Sequence, residues 1–115
     1  MTTRALIYIA HPVRGDVQGN IERVLRWYRW LTTTQPGPVY CIPWLPDVIV
    51  FNDANEAERA AGMARNICHL ERCGGIALVG GMLSSGMRAE RDEMLRLGRP
   101  VVDYLHLGPE PPVIP

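Results

Sequence analysis

A single α/β domain with a parallel sheet of four to five strands is predicted by three observations. Short apolar, partly β-branched runs recur at residues 4–10, 39–42, 76–79 and 100–104. Segments with helical periodicity fill the gaps between them. Gly- and Pro-rich stretches punctuate the two kinds of segment. Strands alternating with helices imply parallel pairing and right-handed crossovers. The class is a small flavodoxin-like, Rossmann-like three-layer sandwich.

Taken in order, the run Arg-Ala-Leu-Ile-Tyr-Ile-Ala over residues 4–10 has the apolar continuity of a strand buried on both faces. Pro12 and Gly15 end it. Asp16 supplies a cap for a helix reaching about Thr34, in which Val17, Ile21, Val24, Tyr28 and Leu31 form one stripe. Gln35-Pro36-Gly37-Pro38 is a stop and turn before the second strand, which Pro43 closes. Pro46 disfavours a central strand over residues 44–52, so a loop or short helix is expected there. Asp53 or Asn55 opens the next helix, which runs to about Cys73. Gly74-Gly75 leads into the third strand. After the loop Gly80-Gly81-Met82-Leu83-Ser84, a helix capped by Ser84 or Ser85 runs to Gly98. One domain, 1–107, and a proline-rich irregular tail, 108–115, are expected, with no internal repeat.

Composition narrows the functional classes. Lys+Arg and Asp+Glu number 12 each, and zero net charge argues against a general nucleic-acid binder. No apolar run approaches membrane-spanning length, and the apolar N-terminal stretch lacks a cleavage site, so a cytoplasmic protein is expected. An odd number of cysteines (Cys41, Cys68, Cys73) fits reduced thiols. The spacing of Cys68, His69 and Cys73 matches no structural zinc pattern, so no metal is expected, and no motif calls for a cofactor.

Ligands of parallel sheets bind beyond the carboxyl ends of the strands. The candidate residues therefore lie in the loops there and on the helix after residue 84. On that helix Glu90 shares the apolar half with Met87, Met94 and Leu97, while Arg88, Asp92, Glu93 and Arg96 lie mostly opposite. A carboxylate on an apolar face needs a partner or a purpose. It is either a catalytic group or an edge residue paired with an arginine. Gly81 in its loop, together with Ser84, Ser85 and Gly86, offers backbone N–H groups and hydroxyls at a helix start, which suit an anion or form a plain capped turn. Tyr8, alternating with Ile7 and Ile9, either reaches a site with its hydroxyl or is a core residue with one hydrogen bond. Arg14-Gly15 in the first loop has the charge for a carboxylate or phosphate, and His11 the chemistry of an acid or base. Trp30 falls nearly opposite Ile21, so it is expected to be exposed and, with Trp27, to make a homodimer through the first helix or a substrate-loop contact.

Together these residues resemble a family. Ile7-Tyr8-Ile9-Ala10 with Pro12 and Arg14-Gly15, then Cys73-Gly74-Gly75-Ile76-Ala77-Leu78-Val79, Ser85-Gly86-x-x-x-Glu90 and Leu97-Gly98-Arg99-Pro100-Val101, are similar in order to the nucleoside 2-deoxyribosyltransferase superfamily. They are also similar to the 2-deoxynucleoside 5-monophosphate N-hydrolases. The resemblance implies that Glu90 is a nucleophile that forms a glycosyl-enzyme ester and expels the base, with a second base or water resolving the ester. It implies that Tyr8 holds the glutamate, that Arg14 and the loop before Glu90 contact the sugar or its phosphate, and that the protein is a dimer. Three positions depart from the family pattern: Asn66 stands where an aspartate often serves the base, Ser84 where an aspartate precedes the glutamate, and Gly74 where an aspartate usually ends the preceding helix. Asn66 offers a base hydrogen bonds but no proton. The resulting expectation is cleavage or transfer at an N-glycosidic bond of a nucleoside or nucleotide. The alternatives are a non-catalytic nucleotide-binding module and a hydrolase of NAD-derived nucleotides.

Overall fold

The protein is described by a computed structural model covering residues 4–51 and 54–114. Four strands, β1 (Leu6–Ala10), β2 (Val39–Cys41), β3 (Gly75–Leu78) and β4 (Val101–Asp103), form one sheet in the order β2-β1-β3-β4. Every pairing is parallel, as the alternation of strands and helices requires. Tyr8 at the centre of β1 is in register with Cys41 on one side and Ile76 on the other. The result is the small flavodoxin-like α/β architecture.

The helices are α1 (Val17–Thr34), α2 (Leu45–Val50), α3 (Glu56–Arg72) and α4 (Ser85–Arg96). Three starts are fixed by side-chain caps. Asp16 accepts from the Gly19 N–H, Asn55 from the Glu58 N–H and Ser84 from the Met87 N–H. Asp53, the other expected cap of α3, lies outside the described residues. The stretch after β2 resolves into α2, where Pro46 sits in the first turn and needs no N–H partner. A 3-10 turn, Leu105–Leu107, follows β4.

Residue parity along β1 separates the two faces of the sheet. Tyr8 meets Glu90 of α4 on one face. Ile7, Ala77 and Thr34 at the end of α1 line a groove on the other. β1 from Ile7 to Ala10 and all of β3 are buried, which is why both read as continuous apolar runs.

The face of α1 differs from the expected stripe. Its buried residues are Asn20, Val24, Trp27, Trp30 and Leu31, while Tyr28 is 40% exposed. Trp30 is therefore buried, and its exposure, the observation behind a dimer through this helix, is corrected. The cause is aromatic packing: Trp30 stands edge-on to both Trp27 and Tyr104, with ring centroids 5.6 Å apart in each pair. Trp27 is fully buried beneath the tail, where its indole N–H donates to the Pro109 carbonyl at 3.0 Å. The tail is irregular but docked, and Arg26 adds a two-pronged ion pair to Glu110 on its exposed side. Among the described residues no helix is long and apolar enough to cross a membrane.

Deleting residues 108–115 is expected to cost about 1–2 kcal/mol, from one part-buried hydrogen bond and its packing. Arg26→Ala, which breaks only the exposed ion pair, should cost markedly less. Urea melts of both variants check this. Equal losses would show that the ion pair, not the indole contact, holds the tail.

Candidate functional site

The chain leaves β1 for β2 on one side of the sheet and leaves β3 for β4 on the other. The two connections diverge at the carboxyl ends of β1 and β3, so a crevice opens there. The loop after β1 carries His11 to Gly15, and the loop after β3 carries Gly80 to Ser84.

The first loop is tied down by Asn20 of α1. Its side-chain amide donates to the carbonyls of Val13 at 2.9 Å and Arg14 at 3.2 Å. The two loops touch where Gly80 adopts a φ of +103°, and a Cβ there would lie 2.7–2.9 Å from the rings of Pro12 and His11. Only glycine fits that contact. Ser84 then starts α4. The N–H groups of Ser85 and Gly86 in its first turn precede the intrahelical ladder, and no acidic residue occupies that turn.

A cavity of about 160 Å³ lies in the crevice. His11 and Arg14 line it from the first loop, Ser84, Ser85 and Gly86 from the start of α4, and Asn66 from α3. Glu90 forms part of its wall, one helical turn below Gly86. Tyr8 belongs to the same constellation through Glu90. Gly15 and Gly81 are not part of the lining. Gly15 is an exposed turn before α1 with open space around it, and Gly81 is packed against the tail, its Cβ position 2.7–2.8 Å from Gly108 and Pro109.

Sequence reasoning missed the opposite wall. Trp44 and Phe51, which flank α2, and Arg59 and Met63 of α3 contribute to it, and Met82 adds an apolar rim. Trp44 is buried, and its indole donates to the Ile9 carbonyl at 2.8 Å. Arg65 clamps the wall from outside, bonded to Asp47 at 2.9 Å and stacked 5.2 Å over the Phe51 ring. The only local signal for this wall was the run of large apolar residues from Trp44 to Phe51.

The electrostatics centre on one buried carboxyl. Glu90 is 6% exposed, and its Oε2 accepts a short hydrogen bond from the Tyr8 hydroxyl. Burial pushes its pKa up to about 7, and the Tyr8 bond partly opposes this. Tyr8 is itself held far above the ordinary phenol range, by burial first and then by the neighbouring carboxylate charge, so it stays a donor. His11 is also buried. Its Nδ1 lies 2.7 Å from the Pro12 carbonyl, which only accepts, so Nδ1 carries the proton. Burial lowers its pKa below 6.5, leaving a neutral ring whose Nε2 is an acceptor. Among the described residues that Nε2 and the Asn66 Oδ1 are the buried side-chain atoms without a hydrogen-bond partner. No group of three or more His, Cys, Asp or Glu among the described residues could hold a metal ion.

The raised carboxyl has a consequence for stability. The folded chain binds the Glu90 proton more tightly than the unfolded chain, so this contribution is fully present below about pH 4.5 and is lost as pH rises through about 7. Its size is about 3 kcal/mol. Glu90→Gln removes this dependence, so the variant should gain about that much on the native chain between pH 4.5 and 8. Urea melts across that range test it, and a pH-independent difference would contradict the burial.

No curated protein matches the chain. The match with a family model extends from residue 5 to residue 104, which takes in all four strands, the four helices and the whole cavity lining. The chain thus belongs to the family described as Domain of unknown function (DUF7768).

Proposed function

We propose that the protein cleaves or transfers at the N-glycosidic bond of a nucleoside or nucleotide, with Glu90 as nucleophile. The observation that carries the proposal is the buried Glu90 carboxyl, held by Tyr8 in the wall of a cavity whose rim is a helix start. The resemblance of the Ser85-Gly86-x-x-x-Glu90 segment to nucleoside 2-deoxyribosyltransferases supports the same reading.

In this mechanism the free carboxylate oxygen attacks the anomeric carbon, and the carbon–nitrogen bond breaks with its electron pair leaving on the base. The departing base takes its proton from solvent, since Asn66 has no acidic proton to give. Water or a second base then attacks the same carbon and releases Glu90. The Tyr8 bond fixes the rotamer of the carboxylate and favours its ionised form. The first turn of α4, with Ser84 and Ser85, suits a sugar hydroxyl or a phosphate. Trp44, Phe51 and Met63 offer the apolar surface that a flat base requires. A reducing compartment is the setting assumed, in keeping with three unbridged cysteines.

The test is incubation with nucleosides, nucleotides and NAD, followed by chromatography of released bases. Glu90→Ala and Glu90→Gln should lower release by at least about a thousandfold. Because the nucleophile must be ionised, kcat/KM should rise with pH and level off above about 7. Tyr8→Phe should lower the rate about ten- to a hundredfold and move that inflection upward, since the bond it removes is the one lowering the Glu90 pKa. Undiminished release by the Glu90 variants would overturn the proposal. Tight nucleotide binding without turnover would make the cavity a binding module instead.

A further inference from the structure

Two thiols lie together outside the glycosidic mechanism. Cys41 is on edge strand β2, in register with Tyr8, and Cys73 closes α3 just before β3. They are 32 residues apart in sequence, yet their Sγ atoms are 3.8 Å apart. Cys73 is buried, Cys41 is half-buried, and Cys68 on α3 is exposed. The Arg99 guanidinium sits at the same junction, donating to the carbonyls of Glu71 at 2.6 Å and Cys73 at 2.8 Å.

The environment makes the two sulfurs unequal. The sulfur–sulfur contact with Cys41 draws the Cys73 thiol below its ordinary value, burial opposes this, and the Arg99 charge lowers it further. The same contact, together with burial, pushes Cys41 up. A more acidic thiol touching a protonated one is the arrangement from which dithiols oxidise in steps.

We propose that Cys41 and Cys73 form a reversible disulfide when the protein meets a hydroperoxide, tying edge strand β2 to the junction of α3 and β3. The Cys73 thiolate attacks one peroxide oxygen, the O–O bond breaks, and hydroxide leaves and is protonated to water. Cys73 is then a sulfenic acid. The Cys41 sulfur attacks the Cys73 sulfur, the S–O bond breaks, and the oxygen departs as water with the Cys41 proton. Hydrogen peroxide gains two electrons and the thiol pair loses two. The sulfurs must close from 3.8 Å to the length of a disulfide bond, about 2.05 Å. A three-residue strand at the sheet edge is the element best able to move that far.

The experiment uses hydrogen peroxide on the full chain and on Cys68→Ser, whose altered residue is exposed. In the native chain the three thiols should fall to one, with Cys68 still alkylatable. In Cys68→Ser both remaining thiols should vanish together in a monomer that loses two hydrogens in mass. A digest should yield one peptide pair joining residues 41 and 73, which dithiothreitol separates. Persistence of free Cys41 and Cys73 under peroxide would overturn the proposal. So would separate sulfinic acids at the two positions, or bridges only between chains. These readouts need no turnover, so they are independent of the glycosidase assay.

Discussion

The structure turns on a carboxyl that has been taken out of water and given one hydroxyl partner. Glu90 lies on the inner face of α4 between Met87 and Met94, positions that would otherwise be purely apolar. Ionising it there is costly, and a single bond from Tyr8 compensates only in part. That bond sets tight conditions elsewhere. β1 must present Tyr8 on the α4 face, so its register against β2 and β3 is fixed to the residue. α4 must keep its rotational register against the sheet, because turning it by one residue would swing Glu90 away by about 100°.

The loops help to satisfy these conditions. Asn20 holds the first loop by two of its carbonyls, and Gly80 lets the second pass against His11 and Pro12. Each loop then limits where the other can go. Trp44 and the Arg65 clamp do the same for the far wall. Two side-chain acceptors in this setting, His11 Nε2 and Asn66 Oδ1, are buried without a hydrogen-bond partner among the described residues.

The parts of this arrangement that were legible in sequence are those encoded locally. The caps Asp16 and Ser84, the alternation of Tyr8 with its isoleucines and the place of Glu90 among methionines are all short-range patterns. The buried face of α1 was not legible in that way. A stripe through Val17, Ile21 and Tyr28 shares Val24 and Leu31 with the real one, so helical spacing alone does not choose between them. What chooses is distant: Tyr104 for the ring of Trp30 and the Pro109 carbonyl for the indole of Trp27. The wall from α2 and α3 was hidden for the same reason, because Asp47 and Arg65 meet only after folding.

The two outer strands have a bearing on how the protein behaves at high concentration. β2 and β4 are three residues each, and they flank the longer, almost wholly apolar pair β1 and β3. Pro38 and Pro43 bracket β2, and Pro100 precedes β4. Each free edge thus offers little more than one repeat of unpaired backbone groups before a residue that cannot extend the ladder. Strand addition from a neighbouring molecule gains few hydrogen bonds at either rim. A sheet whose centre has the composition of an aggregation-prone segment is in this way kept from templating its own growth.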